Sequence, residues 1–280
     1  MKTSPGLVRV AAWILLTAGS AIAAEPEEAP RPDGVRAAGF TSDALILTGG
    51  FHRVSSAADG GSASLDWVHL TWPGKTYTAG VEVHSIGNSR WSFAKISAPL
   101  LKQERGELRI RADLGGGKTG GEDFPYQIYE ASASYQAARR LYLTLNEQYL
   151  RIGDARGHLL KPGAMLLLSP RLTAEGSFAR SIAGNIQTQF AAGRLDLAAQ
   201  PVGIFGGVVI GHTAPEIVKV GIGNGTPGQD LREAYFGVRL RFQEIEWTVV
   251  ADFPDLGTNR QQTLTVGVKL PLRRSGQDSR

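Results

Sequence analysis

The feature that most constrains this chain is a period of two that recurs from Ala44 to its last strand. In "TLTVGVKLPL" (263–272), Leu264, Val266, Val268, Leu270 and Leu272 share one parity, and Thr263, Thr265, Gly267, Lys269 and Pro271 share the other. "YTAGVEVH" sets Tyr77, Ala79, Val81 and Val83 against Thr78, Gly80, Glu82 and His84. "AYFGVRLRF" sets Ala234, Phe236, Val238, Leu240 and Phe242 against Tyr235, Gly237, Arg239 and Arg241. Successive side chains leave opposite faces of a pleated strand, so this pattern predicts half-wetted β-strands. Helical spacing is confined to the first residues and a short piece near Gln136 to Arg140.

Turn residues punctuate the pattern at "AADGGS" (57–62), "WPGK" (72–75), "GGGKTGGED" (115–123), "GDARGH" (153–158), "GNGTPGQD" (223–230) and "DLGTN" (255–259). "GGGKTGG" lacks the helix that a phosphate loop needs after it and is read as a hairpin loop. "DARGH" (154–158) is read as a turn. Between the turns lie fourteen candidate segments. Merging of adjoining segments and the even-number rule give an expected all-β antiparallel barrel of twelve strands, with ten to fourteen allowed.

A soluble β-protein with an open sheet would show the same alternation, but three features favour a transmembrane barrel. The segments run about 9 to 13 residues, as membrane strands require, whereas soluble strands average about 5 to 6. The polar parity carries mid-strand charge (Arg109, Arg111, Arg194, Asp196, Arg239, Arg241), which a watery lumen tolerates and a sheet-on-sheet core does not. Aromatic residues gather near segment ends: Trp67, Trp72, Tyr77, Trp91, Tyr126, Tyr129, Trp247 and Phe253 are candidates for the membrane interface.

The N-terminus points the same way. Residues 1–24 combine Lys2 and Arg9, an apolar stretch from Val10 to Leu16 and small residues at Ala21, Ala23 and Ala24, the layout of a cleaved signal peptide. Residues 25–41, rich in Pro, Ala and charge, read as a flexible lead-in; 42–272 are assigned to the barrel and 273–280 to a tail. The 30 basic and 26 acidic residues nearly balance, which argues against a nucleic-acid partner. Without Cys there are no disulfides or thiolate metal sites.

Catalytic patterns are absent at the spacings they require. No His is followed two residues later by Ser, and adjacent His84 and Ser85 leave a strand on opposite faces. The five His are scattered, so neither a metal site nor a cofactor is expected, and the protein is read as non-enzymatic. The inward parity is more informative. Arg109, Arg111, Arg194, Arg239, Arg241 and Lys269 share it with Glu82, Asp113, Glu175, Asp196, Glu246 and Asp252, a balanced set that predicts paired charges bracing a narrow lumen. Gly203, Gly207 and Gly211 fall on the same parity, where they leave room for a neighbouring strand or bulky lumen residues.

The ending also resembles the C-terminal insertion signal that outer-membrane barrels present to their assembly machinery, with Thr265, Gly267, Leu270 and Leu272 in its slots. It departs by a final leucine in place of an aromatic and by the tail "RRSGQDSR". At "YQIYEASASYQAARRLYLTLNEQYLRIGD", "LLLSPRLTAEGSFARSIAGN" and "EAYFGVRLRF…TLTVGVKLPL" the chain resembles the YaiO-type outer-membrane β-barrels over about residues 40–272. The resemblance implies a barrel accompanying exopolysaccharide synthesis or export. The chain lacks the helical repeats that often precede such barrels, so direct coupling to a periplasmic synthase is not implied.

The combined expectation is an outer-membrane, porin-like barrel of a Gram-negative-type bacterium. Its partners would be outer-membrane lipid, the barrel-assembly machinery and polysaccharide or its export components. Its role would be a conduit or accessory for export of polysaccharide or another polar solute. The alternatives are a structural or surface-interaction barrel with a plugged lumen and, last, an outer-membrane hydrolase.

Overall fold

The computed structural model describes residues 45–56, 62–73, 77–86, 89–119, 121–153, 155–183, 186–213, 229–255 and 261–272. The signal peptide, lead-in and tail of the sequence reading lie outside them. The described residues form strands β1 (Leu45–Ser56), β2 (Ser62–Pro73), β3 (Thr78–Ile86), β4 (Ser89–Gln103), β5 (Gly106–Thr119), β6 (Glu122–Ala138) and β7 (Leu141–Ile152). They continue with β8 (Ala155–Leu167), β9 (Leu172–Ala183), β10 (Ile186–Leu197), β11 (Val202–Thr213), β12 (Gln229–Phe242), β13 (Ile245–Asp255) and β14 (Gln261–Leu272). Each pairs antiparallel with its sequence neighbours, and β14 pairs with β1 from Leu45↔Leu272 to Ser56↔Gln261, closing the sheet into a barrel. Closure gives every strand two partners and leaves no edge of unpaired backbone groups.

The strand number is fourteen, not the expected twelve. Each of the fourteen candidate segments is a separate strand, because turns as short as 104–105, 139–140 and 243–244 put almost no polar sequence between neighbours. At 168–171 the reversal closes on itself: Leu168 N–H and Ser169 N–H both donate to the Leu172 carbonyl, at 2.9 and 3.1 Å.

Two loop readings are also corrected. Gly115 to Thr119 is not a loop but the end of β5, paired with β4 and β6. A Cβ on Gly115 would lie 2.6 Å from the Phe93 Cα, and one on Gly117 would lie 2.4 Å from the Trp91 Cβ. The glycines are there because the backbone of β4 comes close to them, with the Phe124 ring also against Gly117, not because the chain turns. Residues 155–158 are likewise strand: β7 ends at Ile152 and β8 begins at Ala155, and Gly153 at φ 60° supplies left-handed backbone just after β7.

The alternation divides the wall as the physics requires. Val68, Val81, Ile96, Leu195, Val208, Ile210, Phe236 and Trp247 are exposed on the outside. Trp91, Phe93, Ile128, Leu150, Phe205, Val209, Tyr235 and Val250 are buried inside. An apolar belt around a closed sheet is what acyl chains cover at no cost, and what water would not. Both chain ends of the barrel, Leu45 and Leu272, lie at one end. The longest connection, 214–228, joins strands at the other, called here the loop end.

Candidate functional site: the lumen wall

Twelve inward charged residues were picked out by parity, and the structure places all twelve on the inner face. It gathers them into groups rather than a uniform lining. The tightest centres on Asp196 of β10, whose carboxylate accepts from Arg194 two residues away (2.9 Å) and from Arg239 of β12 across β11. Both guanidinium groups lie over the ring of Phe205 on β11, the Arg194 Cζ 4.5 Å and the Arg239 Cζ 5.0 Å from its centroid. Two cations thus share one carboxylate and one aromatic face, so charge pairing and ring electrostatics hold the same two planes. The ring itself lies against Gly237, where a Cβ would come within 2.2 Å of the Phe205 Cζ. Glu175 stands opposite Arg194 on β9.

A second group spans β3 to β7. The Glu82 carboxylate lies 2.8 Å from the His84 Nε2 and pairs with Lys95 (3.3 Å). Lys95 stands opposite Asp113, and Arg111 reaches both Asp113 (3.4 Å) and Glu130 (2.9 Å). Gln148 of β7 donates to Glu130 at 3.4 Å. In the third group Arg241, Glu246 and Lys269 stand directly opposite one another on β12, β13 and β14, alternating in sign. Arg109 lies apart with Glu107, at 2.8 Å. Asp252 is buried near Glu233 and faces Tyr235 and Thr263 on the flanking strands.

Sequence reasoning missed Lys95, Glu130, Gln148 and Glu233, which share the inward parity; Lys95 and Glu130 sit in segments whose alternation is blurred by small residues ("SFAKIS", "YEASAS"). It also missed how much of the lumen is apolar. His84 stacks on Trp91 (5.0 Å, 3°) and Phe93 (5.6 Å, 16°), and Phe93 stacks on Tyr126 (4.6 Å, 15°). With Phe124, Ile128, Leu150 and Ile152 these form a packed aromatic wall inside the loop end. The opposite wall carries Phe205, Val209, Tyr235 and Val250, with Phe190 and Ala192 against them. Gly207 and Gly211 make room for Tyr235 and Phe190 respectively, since a Cβ on either would come within 2.6 Å of those side chains.

Three aromatic assignments are therefore corrected. Trp67, Trp91 and Tyr126 were placed at the membrane interface, but all three lie on the inward parity of β2, β4 and β6. Trp91 and Tyr126 are buried in the lumen wall, and the Trp67 indole lies over Gly50 and Gly267. Trp91 and Tyr126 do lie near strand ends, but Trp67 stands in the middle of β2, and the side of the sheet was not weighed for any of the three. Trp72, Tyr77, Tyr129, Trp247 and Phe253 are exposed on the outer surface, and Trp72 and Tyr77 pack edge to face at 5.9 Å. Of the residues in the insertion pattern, Leu270 and Leu272 take the outward and Thr265 and Gly267 the inward parity of β14. Among the described residues no group of three or more His, Cys, Asp or Glu is arranged to hold a metal.

No family model matches the sequence, and no curated protein does. Solved structures of the same architecture do. The CymD monoaromatic hydrocarbon channel aligns with a TM-score of 0.63 at 10% identity, over 84% of this chain and 90% of that one. The Pseudomonas putida toluene transporter TodX aligns at 0.55 and 9% identity, over 82% and 89%. A bacterial polysaccharide outer membrane secretin aligns at 0.52 and 7% identity, over 84% and 100%. At these identities the likeness is one of fold: this chain has the closed antiparallel barrel seen in transport proteins of that kind.

Proposed function

We propose that the protein spans a bacterial outer membrane and passes a polar solute through its lumen, a carbohydrate being the leading candidate. The observation that carries the reading is the sidedness of the wall. Fixed charges of both signs occupy the inward row around much of the barrel, while the outward row at the same heights is mostly apolar, Glu147 on β7 excepted. Paired Arg, Lys, Asp and Glu side chains present donors and acceptors together, which suits hydroxyl-rich solutes better than ions of one sign. The similar solved structures include channels and a polysaccharide secretin, which supports a transport role. The YaiO-type resemblance is kept as part of this reading, supported by strand rhythm. So is recognition of Thr265, Gly267, Leu270 and Leu272 by barrel-assembly machinery. We read the protein as non-catalytic.

The test is conductance of the refolded protein in planar bilayers, joined to swelling of proteoliposomes in mono- and oligosaccharides. Discrete conductance and sugar-dependent swelling are expected; a silent barrel impermeant to sugars overturns the conduit. One observation favours the second reading, a barrel with a plugged lumen. Trp91, Phe93, Phe124, Tyr126, Leu150 and Ile152 interlock inside the loop end, and each is 5% exposed or less. A silent barrel that opens when Trp91 and Phe93 are both replaced by Ala would establish that reading.

A further inference from the structure

The outer surface of β6 to β8 breaks the apolar pattern near the loop end. Arg151 on β7 stands directly opposite Arg156 on β8, and both take the outward parity. Like charges directly opposed across a strand pair repel unless an anion sits between them. No carboxylate among the described residues is in ion-pair distance of either, and the Arg151 Nε is buried without a hydrogen-bond partner. Gln127 on β6 flanks Arg151 from the other side. One row toward mid-barrel come Tyr129, Tyr149 and His158, in register across β6, β7 and β8. The Tyr149 ring lies 6.3 Å from that of Tyr129 and 5.0 Å from that of His158. Among the described residues Glu147 is a carboxylate on this face. It lies four residues from Arg151 along β7, roughly 13 Å by strand rise, too far to neutralise the pair.

Immediately below this ring row the wall is dented. A groove of about 460 Å³ runs from β4 to β8 on the outside, with Tyr149, His158 and the outward carboxylate Glu147 among its lining. Ala98, Ala112 and Ala131 supply its short side chains, and Ile96, Ile110 and Tyr129 stand around them. The combination is a cationic clamp at the height of the membrane surface, an aromatic step and, toward the membrane interior, a mostly apolar furrow with Glu147 in its lining.

We propose that this face is a binding site for a phosphorylated lipid of the loop-end leaflet. Its phosphate sits between Arg151 and Arg156, and an acyl chain lies in the groove below. Two guanidinium planes suit the three terminal oxygens of a phosphomonoester, which carries more charge than the phosphodiester of an ordinary phospholipid. In an outer membrane the leaflet that meets the longer loops carries such monoesters on its glycolipid. The proposal rests on the membrane-spanning reading but not on conduction.

The test reconstitutes the full barrel in detergent and counts retained lipid by native mass spectrometry. The probes are diphosphoryl lipid A and phosphatidylglycerol, in the wild type, the Arg151→Gln/Arg156→Gln double variant and an Ala112→Phe/Ala131→Leu variant that fills the groove. Wild type is expected to hold one diphosphoryl lipid A at least tenfold more tightly than phosphatidylglycerol. The arginine variant should lose that preference, and the groove variant should lose retention. Inorganic phosphate at millimolar concentration should not displace the lipid, because it cannot occupy the groove. Equal retention by wild type and the arginine variant, or equal affinity for the two lipids, overturns the proposal. Retention surviving in the groove variant overturns its acyl-chain half, and displacement by phosphate alone reduces the site to an anion site. Arg90→Gln, outward on β4 and away from the groove, is the control and should retain lipid as wild type does. A barrel that fails to enter detergent folded would sink the membrane reading instead, so the two failures are distinct.

Discussion

Asp196 shows what one buried residue does when two others depend on it. Arg194 and Arg239 both donate to its carboxylate, and its side chain is 5% exposed. Asp196→Ala leaves two cations without their shared partner in the lumen wall. Breaking a buried pair from one side costs about 3–5 kcal/mol, and denaturant unfolding of the reconstituted barrel should lose that much. Asp196→Asn, which keeps an acceptor oxygen, should recover part of it. Full stability in the alanine variant would mean that the cluster is decorative. Gly237 makes the complementary case. Gly237→Ala would push a methyl into the Phe205 ring and should cost about 1–3 kcal/mol by overpacking, and Phe205→Leu in the same chain should relieve it. Equal loss in the single and double variants would place the strain elsewhere. Neither effect was legible in the sequence, which lists glycine and phenylalanine without saying which strand pair brings them together.

At the scale of the element, the informative pair is β1 and β14. Their register fixes Leu47 opposite Leu270, both outward, while Lys269, one position away, points inward. The chain has no cysteine, so a designed pair is read on a clean background. Leu47→Cys with Leu270→Cys should form a disulfide on mild oxidation, locking the seam and slowing unfolding in denaturing gels. Leu47→Cys with Lys269→Cys should not, because a slip of one residue sends the two side chains to opposite faces. Cross-linking of the second pair but not the first would mean that the seam is shifted. The existence and type of these strands, and the closure of last upon first, were legible because alternation over about ten residues has one structural cause. Their extents at Gly115 to Thr119 and Ala155 to His158 were not. Glycine marks both a turn and a place where a neighbouring strand comes close, and only the neighbour distinguishes them.

For the whole molecule the decisive property is which solvent covers the outside. Phe236 lies about midway along β12 on the outer surface and is 53% exposed. Phe236→Arg should cost about 2–4 kcal/mol if that position meets the middle of a bilayer, measured by urea unfolding from lipid vesicles. A surface position in water would tolerate the change within about 0.5 kcal/mol, and that result would end the membrane reading. The inward charges and the outward apolar belt were both foreseen from parity. The aromatic residues were not sorted correctly: Trp67 stands mid-strand in β2, and for Trp91 and Tyr126 nearness to a strand end did not settle the side of the sheet. The inward placement of Trp91 and Tyr126 narrows the lumen at the loop end and is what makes plugging a specific alternative to conduction.

The sequence by itself determined the kind of object: a period of two, sustained and repeated, allows only sheets with one wet and one greasy face, and a greasy face that long needs closure. It also determined which charges would share the inside, because parity is a local property of the backbone. Only the tertiary structure decided that there are fourteen strands and that Asp196 serves two arginines. It alone decided that Gly237 lies under the Phe205 ring, that Gly115 and Gly117 lie against the backbone of β4, and that Arg151 meets Arg156 on the outer wall. Those facts depend on register between strands, and register is set by contacts across the sheet, not by the order of residues along any one strand.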